Sequence, residues 1–151
     1  MTRLLYTDSW KEAQSFVEKQ LKETGLTTSY DAVGNLFGRM EGSQYPEETI
    51  LSGSHIDTVV NGGTLDGQYG VVAAALAIKY LKETYGQPLR SLEVISMAEE
   101  EGSRFPTVFW GSKNFVGEAK KADVEAIADF EGNRFVAEMQ RQGFDFRDPQ
   151  E

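Results

Sequence analysis

The spacing of apolar residues along this chain changes between two periods, one typical of helices and the other of strands. Apolar positions recur at helical spacing from Asp8 or Ser9, either of which can cap a helix, to about Lys22, and Gly25 follows as a stop. A second helix is rich in alanine and apolar almost all round, so we expect it to be buried against a sheet. The three predicted helices cover residues 8–22, 68–84 and 133–142.

Strand candidates lie between the first two helices and again after the second. The predicted strands cover residues 27–31, 35–40, a run from 49 to about 55, and 91–97. The first two are joined by a hairpin-like turn at Val33-Gly34, and the third, with an apolar run at 49–51, is predicted to be buried. The polar segment 42–48, which includes Pro46, predicts a surface loop, and the polar tail 145–151 is expected to fray. Together these elements predict an α/β fold, a mixed twisted sheet with helices on both faces.

Residues with metal-binding chemistry follow the two predicted strands on either side of the alanine-rich helix. His55, the only histidine of the chain, ends one strand, and Asp66 comes just before the helix. Three consecutive glutamates, Glu99, Glu100 and Glu101, follow the other strand. Open α/β sheets bind ligands at the carboxyl ends of their strands, so we expect these side chains to converge at one edge of the sheet.

Such a set of side chains suits a hydrolytic metal site. Imidazole nitrogen and carboxylate oxygen are the usual ligands of zinc and comparable divalent ions. Hydrolysis also needs a base beside the attacking water, and adjacent glutamates can divide ligation and proton transfer because neighbours in an extended chain point opposite ways. Asp57, two residues after His55, points to the same face and can accept the second ring N–H.

Each feature also has an ordinary interpretation. A lone histidine is more often a packed or surface residue than a ligand, and consecutive glutamates are usually a solvated charge run. The glycines near Asp66 have neither P-loop nor GxGxxG spacing, and the P-loop lysine is missing, so no phosphate-binding loop is predicted. These residue patterns alone leave both interpretations open.

Composition limits the classes of function. With 151 residues, of which 40% are hydrophobic, the chain can form one globular core. A formal net charge of −9, from 24 acidic and 15 basic residues, argues against a nucleic-acid surface. The first residues lack a signal peptide or membrane span, and the absence of cysteine fits a reducing compartment. We therefore expect a cytoplasmic protein that binds neither nucleic acid nor membrane.

Two long motifs resemble a known enzyme family. GSHIDTVVNGGTLDGQYGV and, after one helix, SMAEEEGSRFPTVFWGSKNFVG are similar to the amidohydrolases that include allantoate amidohydrolase and N-carbamoyl-L-amino-acid hydrolase. These belong to the wider group of two-metal aminoacylases, carboxypeptidases and dipeptidases. The similarity runs through nearly the whole chain. It implies a dinuclear-metal aminopeptidase-like catalytic domain.

The resemblance also implies roles for single residues. His55 would bind one divalent ion, Asp66 would bridge both, and Glu101 would bind the second. Glu100 would be the general base, and Asp57 would orient the histidine. The ions would be zinc or manganese, with cobalt and nickel as alternatives, and Glu99 receives no role.

The chain departs from the family pattern in its histidine count. The family adds two further histidine ligands and inserts a lid and dimerisation domain, so residues 1–151 resemble only the N-terminal portion of a catalytic domain. We expect two incompletely liganded ions, and either self-association or marginal stability from an uncovered sheet edge. Full-length relatives would be homodimers that act on a small ureido substrate. Allantoate ranks first because of the GSRFPTVFWGSKN segment, and N-carbamoyl amino acids rank next. The alternative is a catalytically inactive fragment or interaction module.

Overall fold

A computed structural model describes residues 1–146, which form four strands, four α-helices and a short 3-10 helix. The strands are Thr27–Tyr30 (β1), Leu36–Met40 (β2), Tyr45–His55 (β3) and Arg90–Met97 (β4). The helices are Asp8–Glu23 (α1), Gln68–Tyr85 (α2), Trp110–Phe115 (α3) and Phe135–Arg141 (α4), with the 3-10 helix at Lys121–Asp123. The predicted fraying of the tail from residue 147 onward lies outside the described residues.

The four strands form one mixed sheet in the order β1-β2-β4-β3. β1 pairs with β2 and β2 with β4 in antiparallel fashion, whereas β3 and β4 are parallel. In the parallel pair His55 lies opposite Met97, so both strands end at the same edge. The predicted mixed sheet is confirmed, and its register brings the histidine strand beside the glutamate strand.

Helices contact both faces of this sheet, as predicted. On one face, residues of α1, α2, β2 and β4 share a core that includes Leu21, Ala74, Ile78 and Val94. The opposite face is contacted by α3, whose Phe115 ring lies 6.0 Å from that of Phe37 in β2.

A second core joins the beginning of the chain to its last described residues. Tyr6 packs edge-to-face against Trp10 and Phe135, with ring centroids 5.3 and 5.5 Å apart. The Tyr6 hydroxyl donates to the Val33 carbonyl and accepts from the Trp110 indole N–H, so its burial leaves no polar atom unsatisfied. The other buried aromatic members are Phe105, Phe144 and Phe146.

A buried arginine fixes the C-terminal segment to the loop that follows β4. Arg104 pairs with Asp129 at 3.0 Å and with Glu138 of α4 at 2.7 Å. It also donates to the Leu5 carbonyl. All three side chains are largely buried. The cluster lies outside the aromatic centre of the second core and stabilises that core through ion pairs.

The structure corrects the prediction for β3. Residues 45–48, predicted as loop, belong to the strand, and the apolar run is not buried, since Ile50 is 57% exposed. The reason is that β3 lies at the edge of the sheet. An edge strand tolerates Pro46, because one side of its backbone needs no ladder partner. The position of β3 agrees with the expectation of an uncovered sheet edge. The self-association expected from that edge stays a prediction.

Two further differences concern helices. α2 packs against the sheet, as predicted, but it buries only one face, through Val71, Ala74 and Ile78, whereas Tyr69 and Leu76 are exposed. Among the described residues only one side of this helix contacts the sheet, so several of its apolar side chains are exposed. α3 was not predicted, because its six residues are too few for a helical period to be recognised. No helix within residues 1–146 has both the length and the hydropathy needed to cross a bilayer.

Candidate metal centre

The candidate site lies where β3 and β4 end. His55 is the last residue of β3 and is buried. The loop after His55 brings Asp66 back close to the His55 ring, just before α2 begins. Gly67 makes this close return possible: it has a φ of 66°, and a Cβ there would lie 2.4 Å from His55 Cε1. A side chain at position 67 would therefore displace the imidazole.

The structure brings together three of the predicted site residues as potential metal ligands. One ligand atom each from His55, Asp66 and Glu101 lies within 4.8 Å of the others. Burial, and then the hydrogen bond and charge of Asp66, raise the pKa of Glu101. A divalent cation would relieve this repulsion between carboxylates, and one imidazole with two carboxylates is a donor set that such ions accept. The residues therefore fit a metal ion.

Asp57 holds the His55 ring. His55 Nδ1 lies 3.0 Å from the Asp57 carbonyl oxygen and 3.2 Å from its Oδ1. Both neighbours are acceptors, so Nδ1 carries a hydrogen and donates, which leaves Nε2 as the ligand atom. Burial alone would lower the pKa of His55, but the hydrogen bond and negative charge of Asp57 outweigh it and raise the pKa to about 9.

Asp57 also connects the two strand ends. Its carboxylate is 1% exposed and accepts the backbone N–H of Glu100 at 3.1 Å and that of Glu101 at 3.0 Å. The same side chain thus contacts the histidine and fixes the backbone of two glutamates. Sequence reasoning predicted the contact with His55 but not the contacts with the glutamate backbone.

The three glutamates take three different positions. Glu100 directs its carboxylate towards the imidazole, with Oε2 3.7 Å from His55 Nε2, and its side chain is 37% exposed. Glu101 joins the ligand group. Glu100 is thus placed to reach a water molecule beside the ligands without being one of the three grouped donors.

Glu99, which received no role from the sequence, is buried. Its Oε1 accepts the Gly102 N–H, and its Oε2 has no hydrogen-bond partner in the described part of the chain. Burial, followed by the negative charge of Asp57, raises the pKa of Glu99 to about 8. One signal was present in the sequence: of three consecutive residues after a buried strand, the alternation of sides directs at least one inward.

A mixed sheet that brings histidine and carboxylate side chains together, with a further glutamate beside them, has the kind of donor set that metal-dependent hydrolases use. Comparison with known sequences makes the assignment specific. The chain belongs to peptidase family M28, whose sequence profile matches residues 35–140.

Individual relatives confirm the resemblance to allantoate amidohydrolase and N-carbamoyl-L-amino-acid hydrolase. The chain is 60% identical over 144 residues to allantoate amidohydrolase of Escherichia coli, and 38% identical over 135 residues to N-carbamoyl-L-amino-acid amidohydrolase of a Pseudomonas species. These alignments cover 95% and 89% of this chain but 35% and 33% of the relatives. The chain therefore spans about a third of the length of the curated relatives it matches.

A solved structure shows the same fold. A hydantoinase/carbamoylase family amidase from Burkholderia ambifaria superposes with a TM-score of 0.89 at 35% sequence identity. The superposition covers 99% of this chain and 37% of that protein. The α/β architecture is thus that of this amidase family.

Proposed function

We propose that this chain forms the metal-binding portion of the catalytic domain of an allantoate amidohydrolase, which hydrolyses a linear C–N bond of a ureido compound. The observation that supports this most is the grouping of His55, Asp66 and Glu101 within 4.8 Å, in a chain 60% identical to an allantoate amidohydrolase. N-carbamoyl-L-amino acids are the second substrate class, because the relative of that name is 38% identical.

The ligand set would hold two divalent ions, with zinc or manganese first and cobalt or nickel as alternatives. His55 would bind one ion, Glu101 the other, and Asp66 would bridge them. Such ions, when bound, polarise a carbonyl oxygen and lower the pKa of water.

The proton transfers would belong to Glu100. Its partly exposed carboxylate, close to His55 Nε2, can take a proton from the attacking water and return it to the leaving nitrogen. Asp57 holds the imidazole so that Nε2 faces the ligand group. The side chains that would act on the water, the substrate carbonyl and the leaving nitrogen thus come from the ends of two adjacent strands.

Metal binding tests this proposal. We expect isothermal titration calorimetry to detect zinc and manganese binding by the wild-type chain and no binding by Asp66→Ala or Glu101→Ala. Glu47→Ala is the matched control, because Glu47 is an exposed carboxylate near the opposite end of β3. Binding that survives in both site variants, or no binding by a folded wild-type chain, would contradict the proposal.

A second candidate function is that of a catalytically silent module. It is favoured by the composition of the ligand group, in which the described residues place one histidine and two carboxylates together. On this interpretation the chain binds metal but does not turn over allantoate. Chromatographic detection of allantoate hydrolysis by the metal-loaded chain, absent in Glu100→Gln, would exclude it.

A further inference from the structure

Buried side chains hold the backbone where β4 leaves the sheet. The Ala98 N–H donates to Asn35 Oδ1 at 2.8 Å, and the Ala98 carbonyl accepts from the Trp10 indole at 3.1 Å. Ala98, Asn35 and Trp10 are all buried. Ala98, the residue just before the three glutamates, is therefore fixed through both its N–H and its carbonyl group.

Two buried carboxylates hold the turn that follows. Asp57 accepts the N–H groups of Glu100 and Glu101, and Glu99 accepts the N–H of Gly102. Three successive backbone donors are thus satisfied by side-chain oxygens rather than by other backbone groups. Gly102 has a φ of 64°, and a Cβ there would lie 2.4 Å from Val108 Cγ1, so the turn has little room to relax.

The burial of the Glu99 carboxyl group has a free-energy cost that its hydrogen bonds only partly offset. It is 1% exposed, and only one of its two oxygens has a hydrogen-bond partner among residues 1–146. Buried polar groups normally have partners, and a poorly satisfied one commonly marks a constraint other than stability. The neighbouring carboxylates of Glu100 and Glu101 are the groups whose position this turn determines.

We propose that Glu99 is a positioning residue of the metal centre: with Asp57 it fixes the turn at residues 99–102 and so sets where the carboxylates of Glu100 and Glu101 lie. This inference rests on the proposed function, because it assigns Glu99 to the positioning of the residues in that metal centre. Glu99 acts through the backbone of Gly102 and touches neither substrate nor metal.

The test compares Glu99→Gln with Glu99→Met. Both variants remove the ionisable carboxyl group, but glutamine keeps an oxygen that can accept the Gly102 N–H, whereas methionine keeps only the approximate shape. We expect the Gly102 amide to be protected from hydrogen exchange in the wild-type chain and in Glu99→Gln, and unprotected in Glu99→Met. We expect zinc affinity to fall by about 10- to 100-fold in Glu99→Met, as for other residues that orient metal ligands, and glutamine to restore most of it.

Thermal melts of the metal-free variants separate positioning from folding. Equal melting temperatures with a selective loss of zinc affinity in Glu99→Met support the proposal. Wild-type affinity in Glu99→Met, or a Gly102 amide as protected in that variant as in the wild type, would overturn it. If Glu99→Met does not fold, NMR of the wild-type chain provides the test. A through-hydrogen-bond coupling between the Gly102 nitrogen and the Glu99 carboxylate carbon would support the contact, and its absence would refute the contact.

The two proposals fail in different ways. A folded wild-type chain that binds no zinc contradicts the metal centre, while the protection of the Gly102 amide still shows whether Glu99 holds the turn. Zinc binding that is equal in all three proteins leaves the metal centre intact and refutes the role of Glu99.

Discussion

β3 and β4 run side by side, in parallel, and end at the same edge, yet they are held in different ways. β4 lies between β2 and β3, and its residues Leu92 and Val94 belong to the core shared with α1 and α2. Within residues 1–146, β3 has only one neighbouring strand. Its Ile50, which pairs with Leu92 in the register, is more exposed than buried.

This difference shows how each half of the site is positioned. The glutamates follow a strand that the core fixes, whereas His55 ends a strand that is mostly exposed and becomes buried only at its last residue. The position of His55 therefore depends on hydrogen bonds made after the strand ends, above all those of Asp57. Asp57 connects the two strand ends, because it contacts His55 and accepts the backbone N–H groups of Glu100 and Glu101.

Removing that connection should have the largest effect. Asp57→Ala leaves the buried N–H groups of Glu100 and Glu101 without an acceptor and His55 without its partner. We expect a loss of about 3–5 kcal/mol in the free energy of unfolding, measured by urea denaturation, together with loss of zinc binding.

Asp8→Ala provides the control for the Asp57 variant. It removes an exposed carboxylate that pairs with Arg141 on the surface, so the free energy of unfolding should change far less. Equal losses in Asp8→Ala and Asp57→Ala would mean that Asp57 does not connect the strand ends.

The contrast between the strands can be tested at one pair of opposite residues. Leu92→Ala removes a buried side chain from the core and should cost about 2–5 kcal/mol. Ile50→Ala, at the partner position of β3, should cost under about 1 kcal/mol, because its side chain is largely in water. Urea unfolding of both variants measures the difference, and similar losses would show that Ile50 is covered in solution, as self-association through this edge would require.

The pH dependence of stability gives a smaller effect. The pKa of His55 in the folded protein is about 9, above the value of about 6.5 for an unfolded histidine. The stabilisation is therefore fully present below pH 6.5 and is lost as the pH rises through 9, an amount of about 3 kcal/mol from this group. The raised pKa of Glu99, about 8, acts in the same direction, because its protonated form is favoured in the folded state.

Urea denaturation of the metal-free chain between pH 6 and 9 measures this trend. We expect the free energy of unfolding to decrease steadily, and less steeply in His55→Asn, which lacks the imidazole. A metal-free wild-type chain whose stability is constant or increases over this range would show that Asp57 does not hold a proton on His55.

The sequence predicted elements wherever the local pattern determines the structure. The hairpin β1–β2 needs only two short strands and a turn, and the Asp31 carboxylate caps that turn by accepting the N–H groups of Val33, Gly34 and Asn35. β4 is rich in apolar and β-branched residues, namely Leu92, Val94, Ile95 and Met97. β3 was mistaken for a buried strand because its apolar residues do not reveal that it lies at an edge, which depends on strand order.

The same limit applies to the site. His55, Asp66 and the three glutamates could be selected because their side-chain chemistry and their positions next to strand or helix ends are visible in the sequence. Glu101 was distinguished from the other two glutamates only by the resemblance to the amidohydrolases. The inward direction of Glu99 depends on the turn geometry at Gly102, and the second contact of Asp57 depends on the parallel register of β3 and β4. Neither could be deduced from spacing alone.

The aromatic core around Tyr6 has a consequence for biosynthesis. Its members include Tyr6 and Trp10, which are made early among the described residues, but also Phe144 and Phe146, which are made last among them. While the chain grows, the first helix therefore lacks the rings that cover it. Contacts of such long sequence separation slow folding, and the unfinished chain exposes apolar surface on the ribosome. Completion of this core thus has to wait for the release of residue 146 from the exit tunnel, with chaperone-accessible surface until then.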